Sequence, residues 1–406
     1  MTDAGIVIVG GGHAGLSIAE ALRRKGYEGR LQLLNAEAGL PYQRPPLSKQ
    51  FLKGEWDEAR LVQRNAGFYT KQRIERLSSA KVISIDPAQH TLSLENGAQL
   101  HWQKLALAMG SRLRRLAVPG SDARGVYYLH SLHHALALRE AMTKARRIVV
   151  IGGGFIGLEA ACAFASAGKQ VTLLDRADTL LSRSASTPVA SYLQQLHSGK
   201  GVQIENRARV TEIAVSNAEV SGVRLDDGQF FAADIVLVGI GVEPEVALAE
   251  MAGLACSDGV QVDAYCLTSH PDIVAAGDIA RFHHPLYNRS VRLESIQNAV
   301  EQGKHAAGTL LGMRDEYRAV PWFWSDQYDT KLQIAGLSAD HDLEVIRGDE
   351  HSGRFSVFCY AQKQLVAVET LNAPADHMIA RRLIQAGVSP KPDDAANPDF
   401  DLRSLL

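Results

Sequence analysis

The chain has 406 residues, enough for two to four domains that each bury a core. Its 43 Lys and Arg against 45 Asp and Glu leave a net charge of −2 and a pI near 6.7. This balance lacks the basic footprint of a general nucleic-acid binder, while leaving room for a local basic patch facing an acidic protein partner. No uncharged apolar run reaches membrane-spanning length, so no membrane span is expected. The first apolar run, Ile6 to Val9, has no basic region before it, so no signal peptide is expected and the expected location is the cytoplasm.

In chain order, Gly5-Ile6-Val7-Ile8-Val9 reads as a buried strand, Gly10-Gly11-Gly12-His13-Ala14-Gly15 as a tight turn, and Leu16 to Leu22 as a helix. In this setting Gly10 permits the turn, Gly12 lets the backbone approach a pyrophosphate, and Gly15 lets helix meet strand. The phosphates then lie at a helix N-terminus, where unpaired N–H groups and the dipole favour negative charge. A ribose-binding acid is due about 20 residues on. The next strand, Leu31 to Leu34, runs into Asn35-Ala36-Glu37, which makes Glu37 the ribose candidate, with an exposed loop charge as the alternative. Leu105 to Gly110 reads as a strand leaving this first unit.

The plan then repeats. Arg147 to Ile151 is a strand, Gly152-Gly153-Gly154-Phe155-Ile156-Gly157 the turn, and Leu158 to Phe164 the helix. Val171 to Leu174 ends at Asp175, where a carboxylate favours NADH and repels the extra phosphate of NADPH; Arg176 follows and would soften that preference. Val236 to Gly241 leaves the second unit. Asp272 to Asp278 reads as a short strand ending in Gly-Asp, and an Asp there can accept from a ribityl hydroxyl. One glycine loop is weak evidence, but two in strand–turn–helix context specify an α/β enzyme with two Rossmann-like dinucleotide-binding domains.

The order implies nesting: an FAD-binding domain of residues 1–112 and 242–320, interrupted by an NAD-binding domain of residues 113–241. A C-terminal α+β domain, residues 321–406, would follow. Pro321 opens it, with alternating strands around Leu332–Ala335, Glu344–Ile346, Phe355–Phe358 and Leu365–Val368, then a helix from Asp376 to Ala386. The Pro- and Asp-rich tail after Gly387 is expected to lie loosely. Cys162, Cys256, Cys266 and Cys359 form no C-x-x-C or C-x4-C pair, so they read as small hydrophobes, with no disulfide framework, dithiol centre or metal site expected.

Five segments in order carry a family likeness: Gly10-x-Gly12-x-x-Gly15, Pro41-Tyr42-Gln43-Arg44-Pro45-Pro46-Leu47-Ser48-Lys49, Gly152 to Glu159, Ala276-Gly277-Asp278, and Trp322-Phe323-Trp324-Ser325-Asp326-Gln327. Over nearly its whole length the chain resembles the FAD-dependent ferredoxin reductases of bacterial oxygenase systems, of the putidaredoxin reductase and biphenyl dioxygenase reductase type. The second and fifth segments are more specific than the glycine loops. The resemblance implies a glutathione-reductase-like fold plus the C-terminal domain. It also implies hydride transfer from NADH to FAD, then two single-electron transfers to an acidic [2Fe-2S] ferredoxin that feeds a cytochrome P450 or a Rieske dioxygenase. Disulfide reductases of this fold carry a redox cysteine pair close to the place of Pro41 to Lys49. Here the first cysteine is Cys162, so a dithiol relay is excluded.

Carried over by position, Lys49 would lie beside the isoalloxazine, paired with Glu159, and Trp324 near the ring. Read alone, Lys49 is a surface lysine after a Pro-Pro turn, Glu159 an acid near a helix N-terminus, and Trp324 a core residue. FAD contacts are implied for Gly10, Gly12, His13, Ala14, Gly15, Ala36, Glu37, Arg44, Val82, Ala108, Gly110, His130, Asp278 and Ile296. NAD contacts are implied for Gly152, Gly154, Phe155, Ile156, Gly157, Glu159, Asp175, Arg176 and Gly241. Four positions depart from the family pattern: Ala36 stands where an acid is found, Met109 replaces a threonine, His130 an arginine, and Ile296 a frequent tryptophan. An acidic ferredoxin calls for a basic docking surface, with Lys53, Arg281, Arg289 and Arg292 as candidates. Two rivals remain: an NADH oxidase or NADH:quinone reductase of the same fold, and an NADH-sensing interaction protein like apoptosis-inducing factor. Tyr42 stands where peroxidase-type members carry a cysteine.

Overall fold

The structure, a computed structural model, describes residues 4–406. The chain forms two units, each built on a parallel sheet entered through one of the glycine turns. One unit takes the chain up to Gln43, Leu61–Arg112 and Val242–Pro321; the other takes Arg44–Arg60, Leu113–Gly241 and Trp322–Leu406.

In the first unit the apolar run Ile6–Val9 is buried along its length and lies between Leu31–Asn35 and Lys104–Leu107, with Ile6 opposite both Leu31 and Lys104. Ile273–Ala275 and Glu75–Ser78 complete five parallel strands. Continuous rather than alternating apolar runs fit a sheet covered on both faces. In chain order Ile6–Val9 is the first strand of this sheet and lies between the second, Leu31–Asn35, and the fourth, Lys104–Leu107, so the strand order reverses at its C-terminal end. There a crevice forms in open α/β sheets, and there the turn Gly10–Gly15 lies. The helix His13–Arg24 buries Leu16, Ile18, Ala19 and Leu22 and lies against the helix Ile296–Leu310. Their closeness depends on Gly303, where a Cβ would stand 2.7 Å from the carbonyl oxygen of Ala14.

The second unit repeats the plan. Arg147–Ile151 lies between Gln170–Leu174 and Ile235–Val238, with Gln203–Glu205 and Val126–Tyr128 at the edges, all parallel. Its helix Phe155–Ser166 buries eight consecutive residues, Gly157 to Phe164, and shares one apolar core with Leu332, Val357 and Leu371 of the C-terminal sheet. Leu52, from the segment Arg44–Arg60, joins that core, and Arg139 stacks over Phe51 at 4.3 Å.

The C-terminal sheet is antiparallel, in the order Trp322–Gln327, Thr330–Gly336, Gln364–Leu371, Arg354–Ala361, Leu343–Asp349. The helix Pro374–Ala386 follows and ends at Gly387, whose φ of +68° places it in the left-handed cap conformation. Two features differ from the sequence reading. Trp322–Gln327, read there only as a motif, is an edge strand of the sheet. The tail is also not loose. Its short helix Pro392–Ala396 and the turn Leu402–Leu405 bury Ala395 and Leu402. The Arg347 guanidinium donates to the carbonyls of Ala395, Asn397, Pro398 and Phe400, so one long-range cation organises a segment whose composition favours loops. No helix among the described residues is long and apolar enough to cross a membrane.

Candidate active site

The first glycine turn has the shape of a pyrophosphate cradle. Gly10 has φ +115°, and a Cβ there would meet the Ala108 carbonyl oxygen at 2.2 Å; one on Gly15 would meet the Gly10 carbonyl oxygen at 1.9 Å. Gly12 has nothing within 4 Å of its Cβ position, and as N-cap of the helix His13–Arg24 it supplies no side-chain acceptor. A helix N-terminus without a side-chain cap favours an anion, and the residues present fit the pyrophosphate of FAD. Beside the turn, Ala36 is exposed and Glu37 half-buried, its carboxylate accepting from the Tyr42 hydroxyl at 2.5 Å. Ala108 is buried, Gly110 has φ +72° with open space, and Val82 begins the strand Val82–Asp86.

Asp278 accepts from the Ser111 hydroxyl at 3.3 Å. The preceding Gly277, at φ +84°, donates its N–H to Gln302 Oε1 at 2.8 Å. Gln302 is fully buried and its Oε1 also accepts from Asn298 Nδ2, while Asn298 Oδ1 in turn accepts from the Tyr317 hydroxyl. Sequence reasoning passed over Gln302, because a glutamine in a helix carries no local sign of what it holds. Ile296 opens that same helix after the Ser295 cap, half-buried.

The second turn has the same construction. Gly152 has φ +112°, a Cβ on Gly157 would stand 2.0 Å from the Gly152 carbonyl oxygen, and Gly154 faces open space and caps its helix without a side chain. Phe155 is half-buried and Ile156 46 % exposed at the helix start. The Asp175 carboxylate is tied to the turn: Oδ2 accepts from the Gly153 N–H at 2.5 Å and Oδ1 from the Ala177 N–H at 2.7 Å. Arg176 is exposed, and Gly241, at φ +103°, has open space beside it.

In the same unit lies a buried ion pair. Residues 155, 159 and 162 share one helix face, being four and three positions apart. Along the strand Trp322–Gln327, residues 323, 325 and 327 share one sheet face. The two rows run together: Phe155 meets Phe323 at 4.4 Å, Glu159 meets Ser325, and Cys162 Sγ accepts from the Tyr328 N–H at 3.0 Å. Glu159, 3 % exposed, has three donors. Lys49 Nζ lies 2.8 Å from Oε1, Ser325 Oγ 2.6 Å from Oε1, and Ser48 Oγ 2.6 Å from Oε2. Lys49 is 8 % exposed, so it is not a surface lysine, and Glu159 does more than complement a helix dipole. Trp324 points to the opposite face, half-buried beside Trp322 and Phe323. Arg44 donates to the His130 carbonyl at 2.6 Å, which brings these two expected residues together. Ser48 and Ser325 were missed although both lie inside quoted motifs; a serine reads as neutral until its partner is known.

The docking candidates fall into two groups. Lys53 is exposed in the second unit. In the first, Arg281 and Arg292 share Asp258 at 2.9 and 3.3 Å, and Arg292 also pairs with Glu294, so part of that positive charge is neutralised; Arg289 is half-buried. Cys162, Cys266 and Cys359 are buried, and burial pushes all three thiols up.

Two parallel sheets, each with an open glycine turn, and a buried lysine–glutamate pair within the second unit define an oxidoreductase built for two dinucleotides. The sequence model for pyridine nucleotide-disulphide oxidoreductases matches residues 4–303 and that for the reductase C-terminal domain matches residues 322–406. The chain belongs to this family. It is 40 % identical to rhodocoxin reductase of Rhodococcus erythropolis, over 99 % of this chain and 94 % of that protein. Among solved structures it is similar to the ferredoxin reductase for the CYP199A2 system of Rhodopseudomonas palustris, with TM-score 0.97, 41 % identity and coverage of 98 % and 99 %. It is also similar to putidaredoxin reductase in its covalent complex with putidaredoxin, with TM-score 0.96, 36 % identity and coverage of 100 % and 98 %. The family and its ferredoxin–NAD(P)+ reductases use FAD and NAD(P)H.

Proposed function

We propose that the chain is a cytoplasmic FAD-dependent NADH:ferredoxin oxidoreductase that supplies an oxygenase. The observation that carries the reading is the Lys49–Glu159 pair, buried in the unit that holds the second glycine turn, in a chain with no cysteine before Cys162. When bound, FAD accepts two electrons from NADH and releases them singly to a [2Fe-2S] acceptor.

The protein's part is binding, orientation and charge. The start of the helix His13–Arg24, with Ala14 and Gly15 in its first turn, faces the FAD pyrophosphate, and Gly12 leaves it room. Glu37 and Asp278 accept from sugar and ribityl hydroxyls. Phe155, Ile156 and Gly157 do for NADH what the first turn does for FAD. Lys49 holds a fixed positive charge where negative charge arrives on reduction, and Glu159 keeps that ammonium in place. Trp324 shields the ring. Lys53 and the basic edge at Arg281, Arg289 and Arg292 meet an acidic ferredoxin.

Asp175 has a double task, bracing the turn through Gly153 and Ala177 while its remaining lone pairs meet the ribose hydroxyls. Asp175→Ala should therefore raise KM for NADH about tenfold or more, since a charged hydrogen bond is worth about 1.5–3 kcal/mol, with a smaller change in kcat. An unchanged KM removes Asp175 from the ribose site.

The functional test is NADH-driven cytochrome c reduction by the FAD-loaded protein, with and without a [2Fe-2S] ferredoxin. Strong stimulation is expected. Rapid NADH oxidation by oxygen or a quinone without stimulation would indicate an oxidase or quinone reductase instead. NADH-dependent association with negligible turnover would indicate a redox-sensing interaction protein.

A further inference from the structure

Behind the Lys49–Glu159 pair the buried polar groups continue. Ser325 Oγ accepts from Gln327 Nε2 at 3.1 Å, and Gln327 Oε1 lies 2.8 Å from His197 Nε2. Ser325 and His197 are 0 % exposed and Gln327 1 %. His197 comes from the helix Thr187–Gly199, the other two from the strand Trp322–Gln327, and Glu159 from the helix Phe155–Ser166, so three elements converge on one line of hydrogen bonds.

Chemistry fixes the direction of that line. An ionised Glu159 can only accept, so the single proton of the Ser325 hydroxyl goes to Oε1. Ser325 Oγ must then receive a proton from its other neighbour, which turns the Gln327 amide nitrogen toward it and the amide oxygen toward His197. His197 must therefore donate through Nε2, in the neutral tautomer with Nδ1 bare. Two independent observations agree: Nδ1 is buried with no hydrogen-bond partner, and burial pushes the imidazole down from its ordinary value, which favours the neutral ring. Every donor points toward Glu159, so each bond polarises the next.

Such a line is costly in a core unless it is used, because leucine or methionine in these places would leave no polar group to satisfy. We propose that His197, Gln327 and Ser325 form a one-directional positioning relay that fixes the Glu159 carboxylate, and through it the Lys49 ammonium, for hydride transfer. The proposal rests on the reading that the Lys49–Glu159 pair adjoins the flavin. It gives Ser325 and Gln327, two motif residues without a task so far, a common one.

The test uses the FAD-loaded full chain and four variants: Ser325→Ala, Ser325→Thr, Gln327→Met and Lys49→Met. The readouts are the flavin midpoint potential, the limiting rate and apparent Kd of flavin reduction by NADH, and Tm. Loss of the Ser325 hydroxyl leaves the carboxylate charge less dispersed, so Ser325→Ala should lower the potential. It should also slow the limiting rate roughly tenfold, in proportion to one charged hydrogen bond, at unchanged Kd. Gln327→Met should act in the same direction and less, and Ser325→Thr should restore both readouts. A merely structural role would lower Tm and leave the potential in place. If Lys49→Met moves potential and rate while Ser325→Ala and Gln327→Met move neither, the relay is overturned and the flavin-adjacent pair stands. If Lys49→Met is also silent, the pair does not adjoin the flavin and the relay falls with that reading.

Discussion

Glu159→Leu should destabilise the protein by about 3–5 kcal/mol, because it strands a buried ammonium. Lys49 would keep its charge at 8 % exposure with its carboxylate gone, and the hydroxyls of Ser48 and Ser325 would lose their acceptor. The double variant Lys49→Met/Glu159→Leu should recover most of this loss, since well-packed apolar side chains in place of a buried pair are often neutral or stabilising. Activity should not follow stability: flavin reduction by NADH stays slow in the double variant, because the positive charge is absent. Urea unfolding with single-turnover reduction on the same samples checks both. A loss below about 1 kcal/mol in Glu159→Leu would mean that Lys49 finds water or another partner. A double variant as fast as the parent would remove the pair from the hydride step.

The second large effect separates two glycines of one turn. Gly15→Ala should cost more than about 3 kcal/mol, the upper range for overpacking. Its Cβ would stand 1.9 Å from the Gly10 carbonyl oxygen, and backbone cannot rotate out of the way as a side chain can. Gly12→Val should cost at most about 1 kcal/mol, the scale of a helix-cap change. Its Cβ meets nothing within 4 Å, and its φ of −77° suits any residue. The same substitution fills the space in front of the helix N-terminus, so the apo fold should persist while FAD is lost. Tm of the stripped protein and the visible absorbance of the protein as purified distinguish the two. A yellow, fully loaded Gly12→Val protein would place the pyrophosphate elsewhere.

What could be read in the sequence followed from how local each feature is. Both glycine turns were legible because turn, strand and helix are neighbours in the chain, and Ile6–Val9 and Arg147–Ile151 are long enough apolar runs to be buried strands. Lys49 and Glu159 are distant in sequence, and only the likeness to known reductases joined them; nothing in a Pro-Pro-Leu-Ser-Lys run says where its lysine points. The strand Trp322–Gln327 escaped because its pattern is inverted: Ser325 and Gln327, the polar residues, face the buried side, where they meet Glu159 and His197. The tail was misread because Arg347, which holds it, lies some fifty residues earlier. Gln302 and Ser48 show the same limit from the side of function, since each takes its meaning from an atom that only the fold brings near.

The most direct test of the account is an electron count. The FAD-loaded protein, reduced anaerobically by one equivalent of NADH, is mixed with an oxidised [2Fe-2S] ferredoxin, and the flavin and iron–sulfur absorbances are followed together. The account predicts that the flavin reoxidises fully while two ferredoxins are reduced per chain, in two steps that slow as salt screens the docking charges. A flavin that stays reduced until oxygen or a quinone is admitted, with the ferredoxin unchanged, would contradict it.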